Sequence, residues 1–257
     1  MVGLEHSINL KSPAEIALMR EAGRLTAQAL ETVRAAIAVG VTTGELNEIY
    51  EDFLKAHGVY SPFKNYPGPY PYPASICTSI NEELVHGIPG KRKLREGDII
   101  SVDAGVVYEG FVGDSAFTVG VGEISPLAQS LIEVTRKALE LGIEQMVPGK
   151  HSGDVGHAVE SYARAHGYYC THLYTGHGVG HEMHENPMLP NYGQPGQGFL
   201  LREGMTIALE PMVLVGTPQT RELRDKWTVV SRDGSLTAHQ EHTVAITKDG
   251  PMILTSL

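Results

Sequence analysis

The chain has 257 residues, 42% of them hydrophobic, which supplies a buried core and excludes an intrinsically disordered protein. Its formal net charge of −10 argues against a nucleic-acid-binding protein that relies on a broad basic surface. No apolar stretch approaches the roughly 20 residues that span a bilayer, and the N-terminal stretch lacks the apolar region of a signal peptide. We therefore expect no membrane partner and no specific DNA binding.

Two helices are predicted at the start of the chain. The first begins at Ser12-Pro13, where Glu15 completes a capping box. The second lies within residues 41–60, whose apolar side chains have helical spacing, with Thr43 as its candidate N-cap and His57-Gly58 at its end.

A basic run at residues 91–95 precedes the first long strand. A solvated loop is its simplest interpretation, and contact with the ribosome is the alternative. The two cysteines, Cys77 and Cys170, form no C-x-x-C motif, which suits a reducing cytoplasm and excludes a disulfide scaffold. We expect a cytoplasmic protein that is monomeric.

A β-hairpin is predicted over residues 98–120, where apolar side chains alternate around a Tyr108-Glu109-Gly110 turn. Asp103 lies on its first strand and Asp114 on its second. A turn at Tyr108-Glu109 places the two aspartates directly opposite each other, and a turn at Glu109-Gly110 places them diagonally on the same face. Both registers bring the carboxylates together, whereas a three-residue loop or a bulge would separate them.

The second half of the chain repeats the first. Residues 150–169 align without gaps on residues 41–60, with Ser152 at the place of Thr43, and a helix before them opens at Ser125-Pro126. The repeat predicts two halves, about 12–120 and 121–257, that pack about a pseudo-twofold axis into a single domain, 1–257.

Shorter motifs follow the same order in both halves. An L-R-E-G sequence precedes an apolar strand that ends on Asp103 in the first half and on Glu210 in the second. An H-x-x-P motif, beginning at His86 or His184, precedes each L-R-E-G sequence. Glu241 begins a late strand much as Asp114 does, so we expect the symmetry to bring four carboxylates together.

Four carboxylates cannot share a low-dielectric centre as bare anions, because each raises the pKa of its neighbours. Two divalent cations would balance the four charges. Oxygen-rich ligation with one imidazole favours Mn, Fe, Co or Zn and excludes a structural zinc site built from cysteines.

Residues 171–187 contain four histidines, and the glycines around them favour a strand or loop over a helix. An extended chain would put His177 and His181 on one face and His184 on the other. Aligning the two H-x-x-P motifs puts Ser79 opposite His177, so His177 breaks the symmetry and we predict that it is the nitrogen ligand. His86 and His184 correspond to each other and are predicted proton donors to substrate. Surface or packing roles are predicted for the other histidines, including His181, His6 and His239.

The motifs SINEELVHGIP, SVDAG, GFVGDSA, GHGVG, MHENP, ALEPMV and QEHTVAIT occur in the order found in type I methionine aminopeptidases. The chain resembles that family over nearly its whole length. The resemblance implies an α+β pita-bread fold, in which a curved antiparallel sheet with helices on its outside holds a dinuclear metal centre. The ligands it implies are Asp103, Asp114, His177, Glu210 and Glu241.

The resemblance also implies removal of the initiator methionine from nascent chains whose second residue is small. A hydroxide that bridges the two metals would attack the scissile carbonyl, with Glu210 as general base and His86 and His184 on the substrate main chain. The implied methionine pocket consists of Tyr72, Cys77, Met183 and Trp227. Met183 departs from the phenylalanine common at this position, which affects the shape of the pocket more than its chemistry.

Other functions remain compatible with the same five ligands. X-Pro aminopeptidases and prolidases share the fold, but they usually carry an additional N-terminal domain, and here the repeat already begins near Ser12. A type II methionine aminopeptidase would need a helical insertion in the second half. A non-catalytic peptide-binding relative is expected to have lost ligands, and none is lost here.

Overall fold

The structure is a computed structural model and describes residues 8–257. His6, for which a surface or packing role was predicted, lies outside the described residues, as does the start of the predicted domain. The described helices are α1 (Pro13–Ala36), α2 (Thr43–His57), α3 (Pro126–Glu144) and α4 (Ser152–Ala165). Within residues 8–257, no helix has the length and apolar character needed to cross a membrane.

The strands of the described residues form one large and two small antiparallel sheets. In chain order they are β1 (Ile76–Ile80), β2 (Glu83–Val85), β3 (Ile99–Tyr108), β4 (Phe111–Gly120), β5 (Tyr169–Cys170), β6 (Gly176–Gly178), β7 (Glu185–Leu189), β8 (Thr206–Leu209), β9 (Met212–Leu214), β10 (Thr220–Glu222), β11 (Val229–Ser231), β12 (Thr237–His239), β13 (Glu241–Thr247) and β14 (Gly250–Ile253).

The large sheet has the order β1-β3-β4-β13-β8-β6-β7, with β14 also paired to β13. Strands β1, β3 and β4 come from the first half, and β6, β8 and β13 follow in the reverse spatial order from the second. The two halves meet where β4 pairs with β13, with Glu241 opposite Ala116. The curled antiparallel sheet with its helices confirms the predicted α+β class.

Helix starts follow the sequence signals, with two shifts of one residue. Ser12 and Glu15 form the predicted capping box of α1, and Ser125 caps α3. The residues that precede α2 and α4 are Thr42 and His151, so the candidate N-caps Thr43 and Ser152 were wrong by one position. Both of those hydroxyls bond to neighbouring loops instead, Thr43 to Gly90 and Ser152 to the backbone N–H of Phe199.

The hairpin between β3 and β4 turns at Glu109-Gly110, where both residues have positive φ, 48° and 78°. Such a two-residue turn matches the twist of the strands it joins. Asp114 therefore pairs with Gly105 and lies diagonal to Asp103 on the same face, which is the second of the two predicted registers.

Helix α1 packs closely against β3 and β4. A Cβ added at Gly113 of β4 would lie 2.6 Å from the backbone nitrogen of Gly23 in α1, so this contact requires glycine at position 113. The helix and strands share a buried cluster in which Leu25 and Leu30 meet Val102 and Phe117. This packing fixes the part of β4 that carries Asp114.

Candidate active site and metal centre

The site is built on neighbouring strands of the large sheet. Cys77 of β1 pairs with Asp103 of β3, and both Asp103 and Glu241 of β13 pair with Ala116 of β4. These residues form one row across the sheet. Glu210 follows β8 directly, after Leu209, which pairs with His242. The sheet register therefore brings three carboxylates into line, and Asp114 lies two residues from this row on the same face.

His177 approaches the acids from β6, where it pairs with Ala208 two residues before Glu210. Its Nε2 atom lies 3.6 Å from Oε1 of Glu210 and 3.9 Å from Oδ2 of Asp114. Its Nδ1 atom lies 2.9 Å from the carbonyl oxygen of Gly178. A proton on Nδ1 is donated to that carbonyl, which leaves the lone pair of Nε2 directed at the acids.

Burial dominates the electrostatics of this centre. The pKa values of Asp103, Asp114, Glu210 and Glu241 all lie well above their ordinary ranges, first because of desolvation and, for most of them, because of repulsion between the acids. Desolvation and the neighbouring His184 lower the pKa of His177 to about 3, so its imidazole is neutral near pH 7. Among the described residues, the buried Oδ1 atoms of Asp103 and Asp114 have no hydrogen-bond partner.

These residues fit a site for divalent cations. Ligand atoms from Asp114, His177 and Glu241 all lie within 4.8 Å of one another, and Asp103 and Glu210 line the same cavity. Bound cations would satisfy the unpaired carboxylate oxygens and remove the repulsion that raises the pKa values. The donor set of carboxylates and one neutral imidazole suits Mn, Fe, Co or Zn.

The predicted proton donors, His86 and His184, both line the cavity. His86 has a left-handed backbone with φ of 61°, and desolvation lowers the pKa of its imidazole to about 4. The His184 ring lies at the exposed mouth, 4.2 Å between centroids from the ring of His177, and its Nδ1 is 2.7 Å from the hydroxyl of Tyr66.

The predicted division of the histidines between two faces was wrong. Strand β6 ends at Gly178, and the chain then turns, so that His184 returns to the side of His177. His181 is exposed, and its ring packs on Phe111. The distance between its Nδ1 atom and the carbonyl oxygen of Gly110 is 2.8 Å.

An apolar cavity opens onto the acids. Its walls include every residue of the predicted methionine pocket, namely Tyr72, Cys77, Met183 and Trp227. The rings of Tyr72 and Trp227 meet edge to face at 5.1 Å, and the Tyr72 hydroxyl donates to the carbonyl oxygen of Gly87, next to His86.

Three residues near the site were missed by the sequence analysis. Phe63 and Tyr66 line the cavity from the loop before β1, a segment whose proline content obscured any strand or helix pattern. His239 is buried, and its Nε2 lies 3.3 Å from Oε2 of Glu210. Neither ring nitrogen of His239 has a hydrogen-bond partner among the described residues. His239 ends β12, two residues before Glu241 begins β13, and this closeness in sequence to a predicted ligand was the available signal.

This fold and this buried acid cluster define the class of metal-dependent peptidases with the pita-bread architecture. Residues 17–248 match metallopeptidase family M24, and the chain belongs to that family. It is 49% identical to the methionine aminopeptidase of Clostridium acetobutylicum over 249 residues, which cover 96% of this chain and 98% of the relative.

Solved structures agree with this assignment. The methionine aminopeptidase of Thermotoga maritima superposes with a TM-score of 0.94 at 45% identity, covering 97% of this chain and 100% of that chain. The prolidase of Pyrococcus furiosus superposes with a TM-score of 0.79 at 22% identity. The match covers 100% of this chain but 67% of the prolidase chain, and at this identity the likeness concerns the fold alone.

Proposed function

We propose that the protein is a metal-dependent methionine aminopeptidase that removes the N-terminal methionine of nascent chains whose second residue is small. The observation that carries the proposal is the position of the apolar cavity, which opens directly onto the buried acids and His177. An unbranched apolar side chain in this cavity would place its own backbone beside the acid cluster. The high identity to methionine aminopeptidases over nearly the whole chain supports this substrate.

We infer that two divalent ions, of Co, Mn, Fe or Zn, occupy the centre, because two such ions balance four carboxylates. The ligands would be Asp103, Asp114, His177, Glu210 and Glu241. When bound, the ions would acidify a water molecule and stabilise negative charge on the scissile carbonyl oxygen.

The protein side chains would orient the substrate and move protons. Glu210 would act as general base and carry a proton to the leaving amine. His86 and His184, at the cavity walls, would donate hydrogen bonds to the substrate main chain. We infer that the free α-amine lies beside Asp103 and Asp114, so that a peptide with a blocked N-terminus is not cleaved.

We also propose how the chain is organised and where it acts. Residues 1–257 would form one catalytic domain of two halves, about 12–120 and 121–257, because both halves contribute strands to one sheet. The protein would act as a monomer in the cytoplasm. The exposed basic side chains of residues 91–95 would be the contact with a ribosome that presents nascent chains.

Three peptides separate this function from its alternatives on protein loaded with Mn²⁺ or Co²⁺. We expect release of free methionine from Met-Ala-Ser, and no cleavage of acetyl-Met-Ala-Ser or Ala-Pro-Ala. Cleavage of the prolyl peptide alone would keep the metal centre and change the substrate to that of an X-Pro aminopeptidase. If metal binds and no peptide is cleaved, the protein is a non-catalytic peptide-binding relative.

A further inference from the structure

A second depression adjoins the catalytic cavity and is distinct from its methionine pocket. Leu173, Tyr174 and Met188 form its apolar lining, and Asn9 and Thr175 add polar atoms. We call it the Leu173–Met188 groove. Its volume is about 550 Å³, against about 130 Å³ for the catalytic cavity, so the groove can hold more than one residue of a peptide.

The groove is continuous with the catalytic cavity. His177 and His184 line both, so the two spaces meet at the mouth of the cavity. Tyr174 extends the shared wall, because its ring lies edge to face with the ring of His86 at 6.0 Å.

Two large apolar side chains of the groove are unusually exposed to solvent. Leu173 is 71% exposed and Met188 is 66% exposed, more than any other large hydrophobic residue in positions 8–257 except the terminal Leu257. Exposed apolar surface beside an active site typically marks a surface that a ligand covers.

Glu185 also lines the groove, and its negative charge is compensated. The Glu185 carboxylate accepts hydrogen bonds from the ammonium of Lys11 and from the backbone N–H of His181. The side chains of Lys11 and Glu185 are both almost fully buried. The groove therefore suits uncharged, apolar side chains.

We propose that the Leu173–Met188 groove binds the third and fourth residues of the substrate peptide and favours apolar side chains there. The inference rests on the proposed function, which fixes the direction of the peptide. With the methionine side chain in the cavity and the free amine at the acids, the chain leaves the site past His184. Beyond His184 it meets the groove, where Leu173 and Met188 cover its side chains.

Two tetrapeptides test the groove on metal-loaded protein, Met-Ala-Leu-Leu and Met-Ala-Ser-Ser. For the wild type we expect a kcat/KM for methionine release about tenfold higher with the leucine peptide, because its leucine side chains bury apolar surface in the groove and serine side chains do not. The ratio is no larger, because a partly open apolar surface discriminates less than a closed pocket. In the double variant Leu173→Ser/Met188→Ser we expect this ratio to fall to about two or below. A ratio of two peptides on one protein sample is independent of the fraction that is folded.

The matched control is Leu127→Ser/Met252→Ser, which makes the same chemical changes at exposed apolar residues outside the groove. It should keep the tenfold ratio. Equal rates for both peptides with the wild type, or an unchanged ratio in the groove variant, would overturn the inference. Absence of methionine release from both peptides by metal-loaded wild type would instead overturn the proposed function, and the occupant of the groove with it.

Discussion

His239 is the closest described histidine to the carboxylate of Glu210, closer than His177. Its imidazole is buried, neither ring nitrogen has a hydrogen-bond partner within residues 8–257, and Oε2 of Glu210 lies 3.3 Å from its Nε2. Groups that orient a metal-binding carboxylate typically contribute 10- to 100-fold to affinity or activity. His239 is therefore a positioning residue for Glu210 in the proposed mechanism.

Substitution tests this role. We expect His239→Leu to lower kcat for methionine release by roughly tenfold or more, with a smaller effect on KM, because Glu210 loses its neighbour. His239→Gln should retain most of the activity, since it keeps a polar side chain beside the carboxylate of Glu210. If both variants match the wild type in kcat and in metal affinity, His239 only fills space.

Individual site residues were predictable where the repeat paired them. Asp103 and Glu210 end equivalent strands, and His177 stood out because it has no counterpart in the first half. The structure brings all the predicted site residues to one cavity, although their roles remain predictions. His239 could not be singled out with the same argument, because it lies beside Glu210 only through a tertiary contact that brings β12, which pairs with β9, next to the end of β8.

At the scale of elements, the contact between α1 and β4 holds the strand that carries Asp114. A Cβ at Gly113 would collide with the backbone of Gly23, and backbone atoms cannot rotate away. We expect Gly113→Ala to lower the free energy of unfolding by about 1–3 kcal/mol, the usual cost of overpacking. Urea denaturation of the metal-free protein measures this change.

The matched control is Gly90→Ala. A Cβ added at Gly90 meets no atom within 4 Å, so its effect should stay within about 0.5 kcal/mol. Equal stability of the Gly113 variant and the wild type would show that α1 is free to shift away from the sheet.

Helices were easier to predict than strands. Ser12, Glu15 and Ser125 supply local signals. Thr42 and Thr43 are both hydroxyl residues, and the local signal that separates them is Glu45, which completes a capping box with Thr42. The sequence did not decide between the two possible hairpin turns. The observed turn requires positive φ at Glu109 as well as at Gly110, and few residues other than glycine favour that conformation. Short strands such as β5 and β10 span too few residues to show alternation.

For the whole molecule, the four buried acids of the candidate site should make a contribution to stability that falls as the pH rises. The pKa values of the four buried acids are raised in the folded, metal-free protein, so this state binds protons more tightly than the unfolded chain. The resulting stability is fully present below about pH 4, where unfolded carboxyls titrate, and is lost as the pH rises through the folded pKa values.

We expect the Tm of chelator-stripped protein to fall between about pH 7 and pH 8.5, because the buried histidines, whose pKa values are lowered, are neutral there in both the folded and the unfolded protein and the acids are left as the groups that titrate. Saturating Mn²⁺ should raise the Tm and remove most of this decline, because the cations replace the protons and bind only the folded state. A metal-free Tm that increases over this range would mean that the acids are not held together in the folded protein.

The relation between the two halves was predictable as a whole, because the order of helices, motifs and acids repeats along the chain. The reversed strand order on either side of the β4–β13 contact agrees with that repeat. The Leu173–Met188 groove was not predictable. Leu173 and Met188 lie on opposite sides of the glycine-rich histidine segment, and only the turn after Gly178 brings them to one surface.

In the proposed mechanism, divalent ions held by the acid cluster and His177 make the protein an aminopeptidase. Titration of Mn²⁺ into chelator-stripped protein tests this when bound metal and methionine release from Met-Ala-Ser are both measured. We expect no release from the stripped protein and full release when up to two ions are bound. His177→Ala should lose at least about 100-fold in kcat/KM, more than the loss of an outer partner of a ligand. His181→Ala should titrate like the wild type. Full activity without metal, or in the His177 variant, would mean that ions held by these residues do not carry the reaction.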